Sequence, residues 1–273
     1  MADSRFSERR AAFRRLHEGG CFLIPNTWDP GSAKILAGMG FKALATTSSG
    51  FAWSRGGRDG GMSLEAVLEN CREIVEATSL PVNADFEDGH APGLEGVKAN
   101  VGRCIATGVA GLSIEDSTGD PGHTLYDLDA AVARIKAARA AIDESGEDVT
   151  LVGRAECFLV GRPDPLPESI RRLRAYAEAG ADCLYAPGLT TLDQIDAVVS
   201  AVAPKPVNVL IGWPAEFTLA ELAAHGARRV SVGGALAGAA WGGFMRAAEA
   251  LAAGKFDGFV DNLRHPEIEK LMK

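Results

Sequence analysis

The sequence predicts an α/β fold, a single (β/α)8 TIM barrel over residues 1–273, and three observations carry that prediction. Four segments repeat one pattern, an amphipathic helix, a glycine, then a short apolar run: Leu36-Ala37-Gly38-Met39-Gly40 before Lys42-Ala43-Leu44-Ala45, Cys104-Ile105-Ala106-Thr107-Gly108 before Leu112-Ser113-Ile114, Tyr176-Ala177-Glu178-Ala179-Gly180 before Cys183-Leu184-Tyr185, and Leu222-Ala223-Ala224-His225-Gly226 before Val230-Ser231-Val232. The glycine suits a left-handed helix C-cap, and the run after it suits a strand buried on both faces. Eight such runs occur in one chain of 273 residues that is 47% hydrophobic, ample for one core.

The runs, in order, are Cys21 to Ile24, Ala43 to Thr46, Val82 to Asp85, Gly111 to Ile114, Thr150 to Arg154, Cys183 to Ala186, Val207 to Leu210 and Arg229 to Val232. Between them, 3.6-residue periodicity predicts helices over Leu64 to Thr78, Leu94 to Thr107, Leu128 to Asp143, Ile170 to Ala179 and Leu192 to Val202. An amphipathic helix opens the chain. Leu236 to Ala252 reads as a long, alanine-rich helix whose apolar surface calls for a second chain, so an oligomer is expected. No linker or composition shift marks a domain boundary.

A formal net charge of −8 argues against nucleic acid or an anionic membrane as partner. No apolar run approaches the ~20 residues of a membrane helix, and the opening residues lack the apolar segment of a signal peptide. The five cysteines, Cys21, Cys71, Cys104, Cys157 and Cys183, are odd in number and widely spaced, as expected of free thiols in a cytoplasmic protein.

In a barrel of this kind the chemistry sits at the C-terminal ends of the strands. The third strand runs out through Asp85-Phe86-Glu87-Asp88-Gly89-His90, where Asp85 and Glu87 share a face and Asp88 points elsewhere. Two carboxylates aimed at one point repel unless a cation or a proton sits between them, and a hard ion such as Mg²⁺ suits oxygen ligands; the plainer reading is a solvated acidic loop. Around the same rim fall Pro25-Asn26-Thr27-Trp28, Ser49-Gly50-Phe51, a glycine-rich loop with Asp59, Glu115-Asp116, Arg154 with Glu156, and Asn208. Each has a plainer reading: a capped turn for Glu115-Asp116, a structural ion pair for Arg154 with Glu156, ordinary turns for Ser49-Gly50 and Asp59, loop histidines for His90 and His123. Val232-Gly233-Gly234-Ala235 suits a phosphate cradle or a tight turn, and the turn is preferred. No Ser-His-Asp set or Schiff-base lysine competes, since Lys34, Lys42 and Lys98 fall away from the rim.

Taken in order, Ser49-Gly50, Asp59, the D-x-E of Asp85 and Glu87, Ile114-Glu115-Asp116, Gly153-Arg154-Ala155-Glu156 and Asn208 resemble the isocitrate lyase/phosphoenolpyruvate mutase superfamily, from about Pro25 to Gly234. The resemblance implies that Asp85 binds Mg²⁺ (Mn²⁺ as substitute) and that Asp59, Glu87 and Glu115 hold its waters. It implies that the Ser49-Gly50 amides and Arg154 grip the carboxylate of a 2-oxo acid; Trp28, Phe51 and Asn208, at neighbouring strand ends, are expected around it, with Glu156 beside Arg154. It also implies a final helix swapped between subunits and a dimer-of-dimers homotetramer.

Two departures matter. Many members carry aspartate where this chain has Glu87, and the lid after the fourth strand lacks the Lys-Lys/Arg-Cys-Gly-His segment of the isocitrate lyases and the asparagine of the mutases. The lid reads Ser117-Thr118-Gly119-Asp120-Pro121-Gly122-His123-Thr124-Leu125-Tyr126-Asp127, so His123, Tyr126 or water is its expected acid. A site of this kind supports a pyruvate enolate, with the lid and far wall choosing the leaving group. The expected function is a carbon-carbon lyase or decarboxylase on a small 2-oxo or 2-hydroxy di- or tricarboxylate of the oxaloacetate, methylisocitrate or dimethylmalate type. The alternatives are phosphoryl chemistry on phosphonopyruvate or phosphoenolpyruvate, and a 2-oxo acid binder without turnover.

Overall fold

The computed structural model describes residues 4–273. Its elements run α1 (Ser4–Leu16), β1 (Phe22–Ile24), β2 (Asn26–Thr27), α2 (Pro30–Gly38), β3 (Leu44–Thr46), α3 (Ser48–Ser54), α4 (Leu64–Ala77), β4 (Val82–Asp85), α5 (Leu94–Ile105), β5 (Gly111–Glu115), β6 (Ser117–Asp120), β7 (His123–Leu125), α6 (Leu128–Ser145), β8 (Thr150–Arg154), α7 (Pro165–Glu178), β9 (Cys183–Tyr185), α8 (Leu192–Val202), β10 (Val207–Leu210), α9 (Leu219–Ala224), β11 (Arg229–Ser231), α10 (Ala235–Ala252) and α11 (His265–Leu271). The four repeat glycines, Gly40, Gly108, Gly180 and Gly226, have φ of 86°, 93°, 104° and 83°. At Gly226 space adds to the demand, because a Cβ there would stand 2.6 Å from Val199.

The main sheet is parallel and follows the order β1-β11-β10-β9-β8-β5-β4-β3-β2. Its two ends, β1 and β2, are separated in sequence by Pro25 alone. Proline has no N–H to give the ladder, but its carbonyl accepts Ala45 N–H at 3.0 Å. One broken strand therefore pairs with β11 below the proline and β3 above it, and the sheet closes as an eight-stranded barrel. The first strand thus reaches Thr27, beyond the Ile24 expected from the sequence.

Period-2 alternation sorts the side chains. Val82, Ala84, Leu112, Ile114 and Leu151 join the apolar core under the helices, while Asn83, Ser113, Asn208 and Arg229 face a polar interior linked by hydrogen bonds across the barrel. At the bottom, Phe13 of α1 packs with Phe22, Ile24 and Ala110 and closes the barrel's N-terminal mouth.

Two elements differ from the sequence expectation. The segment after Thr47 is helical because Thr47 caps it, its side chain accepting from Gly50 N–H. The lid is a β6–β7 antiparallel hairpin. As expected, the cysteines are free thiols, four of them buried. Helix α10 buries only Ala237 and leaves Trp241, Phe244, Met245 and Leu251 exposed.

Candidate active site

Three strands end in the residues that define the site: β4 in Asp85, β5 in Glu115 and β8 in Arg154. Glu115 and Arg154 are paired directly across the β5–β8 ladder. Arg154 Nη1 stands 3.2 Å from Asp85 Oδ1 and 3.2 Å from Glu115 Oε2, while its Nε bonds Glu156. The second oxygen of Asp85 accepts Ser48 N–H at 3.1 Å, and Asp85 N–H donates to Thr46 Oγ1 at 2.8 Å. Asp85 is thus fixed from both sides.

Glu87 turns inward through a left-handed backbone, φ 46°, unusual for a residue with a Cβ. Burial, then the charges of Asp85, Asp59 and Asp88, push its carboxyl up to about 8. Burial also raises Glu115 and Glu156, against the pull of Arg154. Arg154 itself is held above its ordinary range: burial opposes its charge, but Glu115, Glu156, Tyr185 and Asp85 outweigh it.

These groups line two adjoining cavities that share Ser48, Asp59, Arg154 and Leu159. The outer one, about 420 Å³, has Glu87, Glu115 and Glu156 on its walls and Ser117, Thr118 and Gly119 of the lid over it. The inner one, about 170 Å³, reaches down past Ser49, Asp85 and Tyr185 to Arg229 and Ser231. Among the described residues no three His, Cys, Asp or Glu side chains close a metal shell by themselves. The donor set is all oxygen, and the crowding that drives Glu87 upward is what a divalent cation would relieve. Such a set fits a divalent ion held among Asp59, Asp85, Glu87 and Glu115.

The structure brings together Asp59, Asp85, Glu87, Glu115, Arg154, Glu156 and Ser49. It places the other expected residues elsewhere. Trp28 lines an apolar groove outside the barrel, and its carbonyl accepts Asn70 Nδ2 at 2.9 Å. Gly50 gives its N–H to the Thr47 cap at 3.3 Å, and Phe51 is buried in the core. Asn208 is fully buried, its amide committed to Arg229 and Ser231. His123 is exposed on β7 and lines neither cavity. Tyr126 donates to Asp88 Oδ2 at 2.8 Å and accepts from Arg134 at 2.6 Å, and burial first, then Asp88, pushes its phenol up to about 12. That clamp makes it an anchor for the lid, not a free acid. The Val232 and Gly233 amides bond Asn26 Oδ1 at 2.9 and 2.8 Å, which supports the turn reading over a phosphate cradle.

Sequence reasoning passed over Tyr185, Ser48 and Leu159, all on the cavity walls. Tyr185 alone carried a signal: it sits two residues from Cys183 on the inward phase of β9, at the end of a barrel strand.

A parallel eight-stranded barrel with a carboxylate cluster and an arginine at the C-terminal ends of its strands has the layout of a TIM-barrel enzyme, whose active site sits at that face. Residues 13–252 match the phosphoenolpyruvate phosphomutase family model, and the chain belongs to that family, within the phosphoenolpyruvate mutase/isocitrate lyase superfamily. A structure from Burkholderia cenocepacia J2315, solved as a candidate lyase or mutase, is 44% identical, covers 97% of this chain and 96% of its own, and superposes with a TM-score of 0.94. Oxaloacetate decarboxylase of Rhodopseudomonas palustris (strain BisA53) is 29% identical over 217 residues, 76% of this chain and 72% of its own. Oxaloacetate acetylhydrolase in complex with oxalate is 26% identical, covers 98% of this chain and 94% of its own, with a TM-score of 0.86.

Proposed function

We propose that the chain is a Mg²⁺-dependent carbon-carbon lyase or decarboxylase that acts on a small 2-oxo or 2-hydroxy di- or tricarboxylate through a pyruvate-type enolate. Oxaloacetate is the first candidate, with methylisocitrate and dimethylmalate types behind it. The observation that carries the reading is Arg154 held between Asp85 and Glu115 at 3.2 Å from each, over a chamber that Ser49 also lines. Asp85, Asp59, Glu87 and Glu115 would hold Mg²⁺ or Mn²⁺, which would supply an electrophile for the oxygens of a 2-oxo acid. Arg154 binds the carboxylate end and adds fixed positive charge where the enolate develops. Glu156, buried and bonded to Arg154, keeps the guanidinium in that orientation. Ser117, Thr118 and Gly119 cover the outer chamber, where the leaving group lies, and restrict water.

Phosphoryl chemistry is the second reading, and the family model gives it a place. Against it, Arg154 is the only fixed cation among the described residues lining the outer chamber, and three carboxylates already share it. Proton and phosphorus NMR of a pool of oxaloacetate, 2-methylisocitrate, dimethylmalate and phosphonopyruvate with Mg²⁺ separates the readings. Loss of oxaloacetate, and not in the Asp85→Ala protein, is expected; loss of phosphonopyruvate instead would overturn the lyase reading. Binding of oxalate with no substrate consumed would make the chain a binder.

The proposal includes a dimer-of-dimers homotetramer with α10 exchanged between subunits. Its supports are the exposed Trp241, Phe244 and Met245 and an uncovered apolar groove of about 350 Å³ lined by Leu23, Trp28, Leu36 and Leu236. Light scattering that shows a monomer at micromolar concentration would sink this part. Among the described residues no helix is long and apolar enough to cross a membrane; five free thiols support a cytoplasmic location.

A further inference from the structure

The inner chamber holds one phenol, and it has no role in the reading above. Tyr185 ends β9, is 7% exposed, and lines the chamber under Arg154, whose guanidinium carbon lies 5.1 Å from the centre of its ring. Behind Tyr185 runs a chain of hydrogen bonds whose direction is fixed at its far end. Arg229 is fully buried and can only donate; its Nε gives to Asn208 Oδ1 at 2.8 Å and its Nη1 to Asn83 Oδ1 at 3.2 Å. With its oxygen taken, Asn208 donates through Nδ2 to Ser231 Oγ at 3.0 Å. This line of donors ends at Ser231, on the wall of the chamber that Tyr185 also lines. Among the described residues no hydrogen bond takes the Tyr185 hydroxyl proton. A buried guanidinium with no ion pair among the described residues is costly to keep, and here Asn208 and Asn83 take its donors.

We propose that Tyr185 is the proton donor that quenches the enolate at C3, and that Arg229, Asn208 and Ser231 are positioning residues that aim its hydroxyl. The proposal rests on the enolate reading. The acids expected from the sequence are placed otherwise: His123 is exposed on the lid, and Tyr126 is clamped by Asp88 and Arg134. In the step itself the C3–C4 bond of oxaloacetate breaks, its electron pair enters the C2–C3 enolate, and C4 leaves as CO₂. The proton passes from Tyr185 Oη to C3, giving pyruvate and a phenolate that recovers a proton from water as product leaves. Burial above all pushes the phenol up to about 12, so it carries its proton at neutral pH, while Arg154 and Ser231 favour the phenolate that forms.

The test follows Tyr185→Phe with Mg²⁺ and oxaloacetate by proton NMR and ultraviolet absorption, with oxalate titrated separately. The variant is expected to form pyruvate at least tenfold more slowly, to release enolpyruvate as a transient, and to bind oxalate within threefold of wild type. Ser231→Ala should fall between the two, and Ser231→Thr, which keeps the hydroxyl, should recover. Pyruvate formed at the wild-type rate without a transient would overturn the assignment. So would a loss of oxalate affinity as large as the loss of rate, since Tyr185 would then only bind substrate. A wild-type protein inert on oxaloacetate would instead bring down the enolate reading, and the assignment with it.

Discussion

Arg154 and Asp85 face each other at 3.2 Å from strands that are not neighbours, β8 and β4, with Glu115 of β5 between them at the same distance from the guanidinium. One cation therefore serves carboxylates that would otherwise repel. Lysine at position 154 would offer a point charge without the planar fork that reaches Asp85, Glu115 and Glu156 together. Arg154→Lys should lower kcat/KM by about 10²-fold or more, measured in steady state on whichever substrate the NMR pool identifies; a loss below tenfold would remove Arg154 from the chemistry.

Asp85 is the carboxylate with the most fixed orientation, held by Ser48 N–H at one oxygen and Arg154 at the other. Asp85→Asn keeps the shape and halves the donor character toward a hard ion. Binding of Mn²⁺, followed by electron paramagnetic resonance of the free ion, should weaken by at least ~10-fold. Unchanged Mn²⁺ affinity would mean that the ion, if bound, sits elsewhere.

Glu87 gives the site a pH signature. Its carboxyl is pushed up from 4.5 to about 8, by burial first and then by Asp85, Asp59 and Asp88. A carboxyl raised on folding binds its proton more tightly in the folded state. Its contribution is therefore full below 4.5 and is lost as pH rises through 8. Without a divalent ion, Tm should fall between pH 6 and 9, with each kcal/mol worth roughly 2–4 °C in a chain of this size. Mg²⁺ should restore more of it at pH 9 than at pH 6, and Glu87→Gln should flatten the slope. A metal-free melting profile equally steep in Glu87→Gln would assign the pH effect to other groups.

How much of this was legible in the sequence depends on which rule placed each residue. Asp85, Glu115 and Arg154 obey strand alternation at the end of an apolar run, so the face they share could be read directly. Trp28 and Phe51 lie past the strand ends, in a turn and in helix α3, where alternation no longer says which way a side chain points; one went to the outer groove and the other to the core. Tyr185 sat in the apolar triplet Cys183-Leu184-Tyr185, where an aromatic reads as core until its hydroxyl is seen to face a chamber. The lid's Gly-Asp-Pro-Gly suggested only a flexible loop. Its hairpin depends on Tyr126 N–H bonding Asp116 carbonyl at 2.9 Å, a contact that no local pattern specifies.

Asp116 is the joint on which that lid and the floor of the site both depend, and it lies beyond the reach of substrate. It is 1% exposed; one carboxylate oxygen accepts Glu156 N–H at 2.8 Å, and the other accepts Arg172 Nη1 at 3.0 Å and the Tyr176 hydroxyl at 2.5 Å. Arg172 also donates to the Tyr126 carbonyl at 2.9 Å, at the foot of the lid. Removing the carboxylate would leave the buried Arg172 guanidinium with Glu168 as its remaining carboxylate and a buried phenol without an acceptor. Asp116→Ala should therefore destabilise the fold by about 3–5 kcal/mol in urea unfolding. Asp116→Asn, which retains one oxygen for a single donor but not the charge, should cost less. Because Asp116 acts through the backbone of Glu156, the Asn variant should lose kcat more than KM even where it is fully folded. A variant with wild-type kcat would show that the Glu156 backbone holds its place without this contact.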